Sequence, residues 1–393
     1  MIDLQKTNLG QSVMKTVLIL WLMYSAVTFN TLTAQTIPRV RISGSVVDAS
    51  TGEPLHDVNV FLANSTRGAA SDTKGYFAIE NVPLGTYELV VSMIGYEIGV
   101  LSIRLTDTKE RVFHFRLKSK PIRVPEISIS APSPREWRKN LKKFKKLLLG
   151  NSRNASRCKI LNPEVLDFQF DEETSEFTAS SGQLIEVENR GLGYRIQVYL
   201  MDFCFKEDVE LRYKSRLKFV PLSPEDEKER MRWEKDRRKA YYGSLRHFLM
   251  ALSSWQIQEE GFLLYSVSSL GERQRNYLNP DDVLFSGENP YERKLAFSNY
   301  LKVIYTREFE PNEYRMLYEE EPMIAVDGRL RGRARNVKER YQTSWLYNPS
   351  ESEVIVNTLG QLNNPYALTT YGYWSWERLA DELPWDYFPY STF

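Results

Sequence analysis

From Val40 to Leu117 the apolar residues recur at every second position, and turn-forming clusters separate the runs. VRISGSVVD sets Val40, Ile42 and Val46 on one face, VNVFLA does so with Val58, Val60 and Leu62, and YELVVSM with Tyr87, Leu89, Val91 and Met93. VFHFRL adds Phe113, Phe115 and Leu117. Side chains alternate across a strand, so each run can bury one face. Between the runs lie STGEP, NSTRG, SDTKG, VPLG and IGY, which read as turns. Short strands at this spacing predict a small antiparallel β-sandwich. Gly75 and Gly85 are expected to supply backbone angles that other residues reach only at a cost.

The stretch GSVVDASTGEPLHDVNVFLANSTRGAASDTKGYFAIENVPLGTYELVVSMIGYE resembles the carboxypeptidase-like regulatory domain. That family is a transthyretin-like (prealbumin-like) β-sandwich found in many exported proteins of the Bacteroidota. Its markers here are Gly44, the TGEPL turn, Val58-Asn59-Val60, Ser71-Asp72, Gly75-Tyr76-Phe77, Pro83-Leu84-Gly85-Thr86-Tyr87 and Ile94-Gly95-Tyr96. The resemblance covers residues 39–118. In peptidases with this fold the sandwich is an accessory to a separate zinc domain. The resemblance therefore implies a binding or folding module without catalytic residues of its own.

Met14-Lys15, the apolar run VLILWLMYSAVTF and then NTLTAQ have the order of a signal peptide, residues 1–34, cleaved after Ala34. The apolar run is short for a membrane span, although an uncleaved anchor is the other reading. An exported protein of the periplasm or outer membrane is expected. Export allows Cys158 and Cys204 to pair; two buried thiols are the alternative. The formal net charge is +1, which gives no global field to attract nucleic acid. No nucleic-acid partner is expected.

Residues 119–134 (SKPIRVPEISISAPSP) read as a proline-punctuated linker, so residues 36–120 are expected to fold alone. Residues 135–393 read as an α+β domain, giving a multidomain chain. REWRKNLKKFKKLLLG places Trp137, Leu141, Phe144 and Leu148 at helical spacing with Gly150 as a stop. Arg138, Lys139, Lys142, Lys143, Lys145 and Lys146 coat the remaining surface. They form either a solvated face or a basic face for peripheral association with an anionic membrane. Strands are expected at VLDFQF, EFTAS, LIEVEN, YRIQVYLMDFCF and VELRYKSRLKFV, and later at FLLYSV, YLKVIYT, SWLY and EVIVN. A helix capped by Ser223 is expected to run through EDEKERMRWEKDRRK into AYYGSLRHFLMAL, and a last helix to cover WSWERLADEL. Exported Bacteroidota proteins that pair the same sandwich with a tail of this length share segments such as IEVENRGLGYRI and YGYWSWERLADELPWDY. That resemblance implies one integrated α+β domain and attaches no activity to it.

The residues offer little catalytic pattern. His56, His114 and His247 open neither HxxE nor HExxH, and zinc catalysis needs converging ligands. No GxSxG elbow, Walker loop or GxGxxG after a strand is present. No catalytic, metal or cofactor residue is assigned and no cofactor is expected. The acidic runs Asp171-Glu172-Glu173, Asp281-Asp282 and Glu319-Glu320-Glu321 could serve a glycosidase or simply be solvated. Tyr373, Trp374 and Trp376 could form a platform for a sugar or peptide or pack the last helix onto the domain. Arg329, Arg331, Arg333 and Arg335 alternate, so a strand would face all four one way. There they could grip anionic groups or protect a sheet edge. The expected function is that of a non-enzymatic cell-envelope protein that binds or scaffolds an outer-membrane or periplasmic protein or a surface glycan. An envelope hydrolase acting on glycans or peptides through a carboxylate pair is the alternative. Oligomeric state stays open.

Overall fold

The alternating runs become seven strands: β1 (Arg39–Asp48), β2 (Asn59–Leu62), β3 (Gly68–Ala70), β4 (Tyr76–Pro83), β5 (Gly85–Ser92), β6 (Gly99–Leu105) and β7 (Arg111–Leu117). This computed structural model describes residues 38–120, 133–206, 210–270, 272, 276–318, 340–349 and 353–389. The expected signal peptide, most of the expected linker, Glu319–Glu321 and Arg329–Arg335 lie outside the described residues. The strands form two sheets, β4-β1-β7 and β3-β2-β5-β6. All pairs are antiparallel except β1 with β7. That exception arises because the chain leaves β6 in one sheet and enters β7 beside β1 in the other. Gly75 sits at φ 79° and Gly85 at φ 155°, the region where a Cβ is penalised. The inward residues of the runs, Ile42, Val46, Val58, Val60, Leu62, Leu89 and Val91, are fully buried.

The second layer begins with α1 (Pro134–Leu149). Ser133 caps it by accepting from the Glu136 N–H, and Gly150 ends it. Strands β8 (Cys158–Ile160), β9 (Leu166–Asp171), β10 (Glu176–Ser181), β11 (Ile185–Asn189), β12 (Tyr194–Lys206) and β13 (Glu210–Pro221) follow. They order as β8-β11-β12-β10-β9, with β13 paired along β12. Phe144 and Leu148 of α1 are fully buried with Phe168, Phe177 and Phe203 of this sheet. A bulge at Met201, between Leu200 and Asp202, shifts the side-chain alternation by one. Ile196 and Val198 before it, and Phe203 after it, therefore all face the α1 side.

The thiols do not pair. Cys158 and Cys204 are both free. Cys158 lies opposite Asn189, which lies opposite Tyr194, ten positions along β12 from Cys204. At about 3.3 Å per residue that is roughly 30 Å, far beyond disulfide reach. Burial pushes the Cys158 thiol up to about 12.

The expected long helix is broken in two. Its start is Asp226, not Ser223: the Asp226 carboxylate accepts from the Glu229 N–H, opening α2 (Glu227–Tyr241). The chain turns at Tyr242–Ser244, and Ser244 caps α3 (Leu245–Ser253) by accepting from the His247 N–H. Strands β14 (Phe262–Val267), β15 (Asn276–Leu278), β16 (Leu284–Ser286), β17 (Glu292–Leu295) and β18 (Tyr300–Phe309) come next. They are followed by α4 (Asn312–Tyr318), β19 (Tyr341–Tyr347), β20 (Val354–Asn357), β21 (Thr369–Gly372) and α5 (Tyr373–Trp376). The strands give sheets β15-β14-β18-β19-β21 and β16-β17-β20. Phe248, Leu249 and Leu252 of α3 pack with Phe262, Leu301, Val303 and Leu346 beneath them. The expected final helix reduces to the four residues of α5 and a 3₁₀ turn, Leu379–Asp381.

Arg39 onward is one compact unit, and the reason is visible in the β2–β3 loop. On one side the Asn64 N–H donates to the Leu217 carbonyl (2.6 Å) and the Phe219 N–H to the Ser65 carbonyl (2.9 Å). On the other, the Trp385 N–H donates to the Asn64 carbonyl (2.9 Å) and its indole to the Ala63 carbonyl (3.1 Å). Asp386 accepts from the Thr66 N–H (3.0 Å) and hydroxyl and lies 3.6 Å from Arg67. The Trp385 ring is buried within the sandwich core, 4.9 Å from the ring of Tyr87. Arg216 pairs with Glu88, and Arg104 with Glu292 and Glu288, across the same junction. The isolated sandwich would lack one of its core side chains. Replacing Trp385 by Ala should therefore lower the unfolding free energy by about 3–5 kcal/mol, measured by denaturant unfolding. An unchanged midpoint would show that the indole is dispensable to the core.

Candidate functional site

Four carboxyls around α5 and the 3₁₀ turn that follows it are displaced upward from their ordinary range. A short apolar helix and a tight turn place Glu377, Asp381 and Glu382 against β13, β18 and the loop after α1. One Asp381 oxygen accepts from Ser152 Oγ and Asn154 Nδ2, both at 2.9 Å; its other oxygen is buried without a partner. The backbone beside it is fixed by Asn189, whose Nδ2 donates to the Ala380 carbonyl (2.9 Å). Glu382 accepts from the Tyr213 hydroxyl at 3.4 Å. Glu308 of β18 accepts from Gln342 Nε2 at 3.0 Å.

Burial disfavours the charged form of each carboxyl. It raises Glu382 to about 7. It holds Glu377 well above the ordinary range, with repulsion from Asp381 and Glu308 adding to the effect. Asp381 is also raised by burial, against the opposing pull of Ser152 and Asn154. Glu308 is raised by burial, and Lys239 partly opposes this. A carboxyl raised as Glu382 is, to about 7, can hold a proton near neutral pH, the property a general acid needs. Here the same geometry also serves packing, because Asp381 ties the loop after α1 to the C-terminal turn.

The residues singled out by sequence fall elsewhere. Tyr373 and Trp374 are buried, so they do not form an exposed platform. The Trp374 indole donates to the Gly243 carbonyl (2.7 Å) and its N–H to Ser344 Oγ (3.1 Å). Trp376 is half-buried, edge-on to Tyr314 and tilted against Tyr373. Arg329, Arg331, Arg333 and Arg335 lie outside the described residues. The acidic runs within the described residues build turns. Asp171 accepts from the Glu173 and Thr174 N–H groups, and Asp282 belongs to a capping box with Asn279.

The histidines are apart and engaged. His56 lies 3.0 Å from Asp57 at the surface, and His114 bonds Ser45 (2.8 Å). His247 is buried, accepting from the Gly243 N–H at Nδ1 (3.1 Å) and meeting Glu260 at Nε2 (3.1 Å). With Nδ1 as acceptor, Nε2 carries the proton that Glu260 accepts. Among the described residues no group of three His, Cys, Asp or Glu side chains is arranged to hold a metal ion.

Sequence reasoning missed Glu308, Glu377, Asp381 and Glu382. The only signal was their position among aromatic and aliphatic neighbours, as in WSWERLADEL, and that pattern equally suits an exposed helix face.

Residues 42–129 match the family model described as CarboxypepD_reg-like domain. No curated protein matches the sequence. Among solved structures, the chain is similar to a type II cohesin–X-dockerin complex mutant from Acetivibrio cellulolyticus, at 20% identity over 19% of this chain and 52% of that chain, TM-score 0.17. It thus spans about half the length of that chain. It is similar to the group B streptococcus pilus 2b backbone protein at 17% identity, over 21% of this chain and 42% of that one, TM-score 0.18. It is similar to catechol 1,2 dioxygenase of Acinetobacter radioresistens at 14% identity, over 26% and 59%, TM-score 0.19.

The raised carboxyls set a pH dependence. Glu382 moves from an ordinary 4.5 to about 7 on folding, so its neutral form favours the folded state. That contribution is complete below about pH 4.5 and is lost as pH rises through about 7. Glu382→Gln should therefore gain melting temperature relative to the parent as pH goes from 5 to 8. A difference between the two proteins that stays constant across this range, in parallel thermal melts, would mean Glu382 does not titrate there.

Proposed function

We propose that the chain is a non-enzymatic protein of the cell envelope, exported to the periplasm or the outer membrane. Its sandwich and α+β part act as one body to bind or scaffold an envelope protein or a surface glycan. The observation that carries this reading is the joint at the β2–β3 loop. There Trp385 completes the core of a CarboxypepD_reg-like sandwich, so the accessory module is built into the body it accompanies. A body of this kind holds two surfaces in fixed relation, as a scaffold requires. The engaged histidines add support, since neither nitrogen of His247 is open to a substrate. Export rests on the order of charged, apolar and cleavage segments before Gln35. N-terminal sequencing of protein from the envelope fraction should find a start near Gln35, and retention of Val17–Phe29 would remove that support.

The carboxyl cluster is the specific observation behind the second reading, an envelope hydrolase. Glu377→Gln and Asp381→Asn together keep the shape of both groups and remove their proton chemistry. Full-length protein and this variant are compared for binding to labelled envelope glycans and peptides and for their turnover. Saturable binding without turnover, equal in both proteins, is the expected result. Turnover lost in the variant would replace the binding reading with the hydrolase.

A further inference from the structure

The outward face of α1 carries Arg135, Arg138, Lys139, Lys142 and Lys146, all exposed. At 3.6 residues per turn the five fall within an arc of about 100°, in a row about 16 Å long. The opposite arc holds Phe144 and Leu148, buried in the core. Lys143 stands apart from the row: its ammonium lies over the rings of Phe177 and Phe205, 4.8 Å from each centroid. Among the described residues none of the five side chains has an acidic partner or a hydrogen bond, in contrast to Arg157 with Asp236, Arg190 with Glu225, Arg216 with Glu88 and Lys294 with Glu353.

We propose that this row is a docking surface for an anionic phospholipid bilayer. Five like charges held side by side repel one another, and a surface of opposite charge relieves that repulsion. The row is straight and convex, which suits a uniformly charged plane better than a glycan, whose recognition needs a concave site with converging polar groups. Trp137 and Phe144 face the core, so the stacking aromatics that single-stranded nucleic acid uses are missing from this face. Because the apolar side of α1 is already consumed by the sheet, the helix cannot sink into the acyl region as a free amphipathic helix does. Nor is any helix among the described residues long and apolar enough to cross a membrane. Docking is therefore electrostatic: it depends on the anionic lipid fraction and weakens as salt shortens the screening length. This inference stands independently of the binding partner proposed above.

The test is co-sedimentation of the full chain with phosphatidylcholine vesicles, with and without phosphatidylglycerol. The neutral vesicles measure whatever the rest of the chain contributes. Binding to the anionic vesicles should exceed that baseline by about tenfold at low salt and approach it at high salt. The combined variant Arg138→Gln, Lys139→Gln, Lys142→Gln and Lys146→Gln should fall to the baseline with an unchanged melting temperature. Lys139→Arg, Lys142→Arg and Lys146→Arg together should retain binding, since charge is what acts. Three results would each overturn the proposal: a glutamine variant that binds like the parent, binding that persists at high salt, or capture by a soluble polyanionic glycan with none by vesicles.

Discussion

The five residues of the β2–β3 loop, Ala63 to Arg67, hold the molecule together. A hairpin loop normally leaves its backbone groups to water. Here the Asn64 and Ser65 backbones complete hydrogen bonds with β13, while Ala63, Asn64 and Thr66 complete others with Trp385 and Asp386. Asn64 adopts φ 61°, a left-handed angle that asparagine tolerates better than most residues, and its side-chain oxygen accepts from the Leu217 N–H. One loop is thereby bonded to segments more than 150 and 320 positions distant. Such contacts close long loops, whose entropy must be offset by what they bury. The Trp385 ring against Tyr87 and the stack of Phe61 on Tyr199 at 5.3 Å supply that burial.

The same joint explains the treatment of charge around the C-terminal segment. Arg246 donates to the Pro384 carbonyl (3.1 Å) and lies over the ring of Phe388, and burial lowers it to about 10. Nearby Asp386 is shared between Thr66 and Arg67. A few turns back, Glu377, Asp381 and Glu382 sit in a similarly dry setting with fewer cations. Arginine resists losing its proton, so the chain solvates Arg246 with a carbonyl and aromatic faces. Carboxyls can accept a proton instead, and burial shifts these three in that direction. Packing the C-terminal segment inward thus produces both effects.

How much of this was legible depended on the range of the interaction. The sandwich was readable because its alternation and turn chemistry are local: Gly75, Gly85 and the inward valines are set within about ten residues. Helix α1 was readable for the same reason, with Gly150 as its stop, although its cap, Ser133, fell within the expected linker. The strand YRIQVYLMDFCF was located correctly, but its faces were not readable, because the bulge at Met201 reverses the alternation halfway along. The break at Tyr242–Ser244 was hidden because the apolar spacing of Tyr241, Leu245 and Phe248 continues across it. For the aromatic C-terminus two readings stayed open, a ligand platform and packing onto the domain, and Tyr373 and Trp374 are packed. Tyr373 and Trp374 look like a ligand surface in a list, and only the approach of Gly243 and Ser344 from distant segments turns them into core. The raised carboxyls were invisible for the same reason, since what covers them comes from elsewhere in the chain.

The sandwich and the cationic row lie on opposite sides of one sheet. Along β12 and β13, Ile196, Val198, Leu217 and Phe219 belong to the core under α1. Their alternates Tyr199, Arg216 and Lys218 meet Phe61, Glu88 and Asn59 of the sandwich. The six-stranded sheet therefore carries α1 on one face and the sandwich on the other. The arginine and lysine row lies on the side of α1 away from the sheet, so it points directly away from the sandwich. A bilayer held at that row would leave the sandwich on the aqueous side of the sheet, at a fixed orientation set by the Trp385–Asp386 joint. Besides the joint, Phe61 on Tyr199, Glu88 with Arg216 and Asn59 with Lys218 hold the sandwich to the sheet, and none of these residues belongs to the row. Orientation and attachment are thus carried by different residues, and neither depends on the other's chemistry.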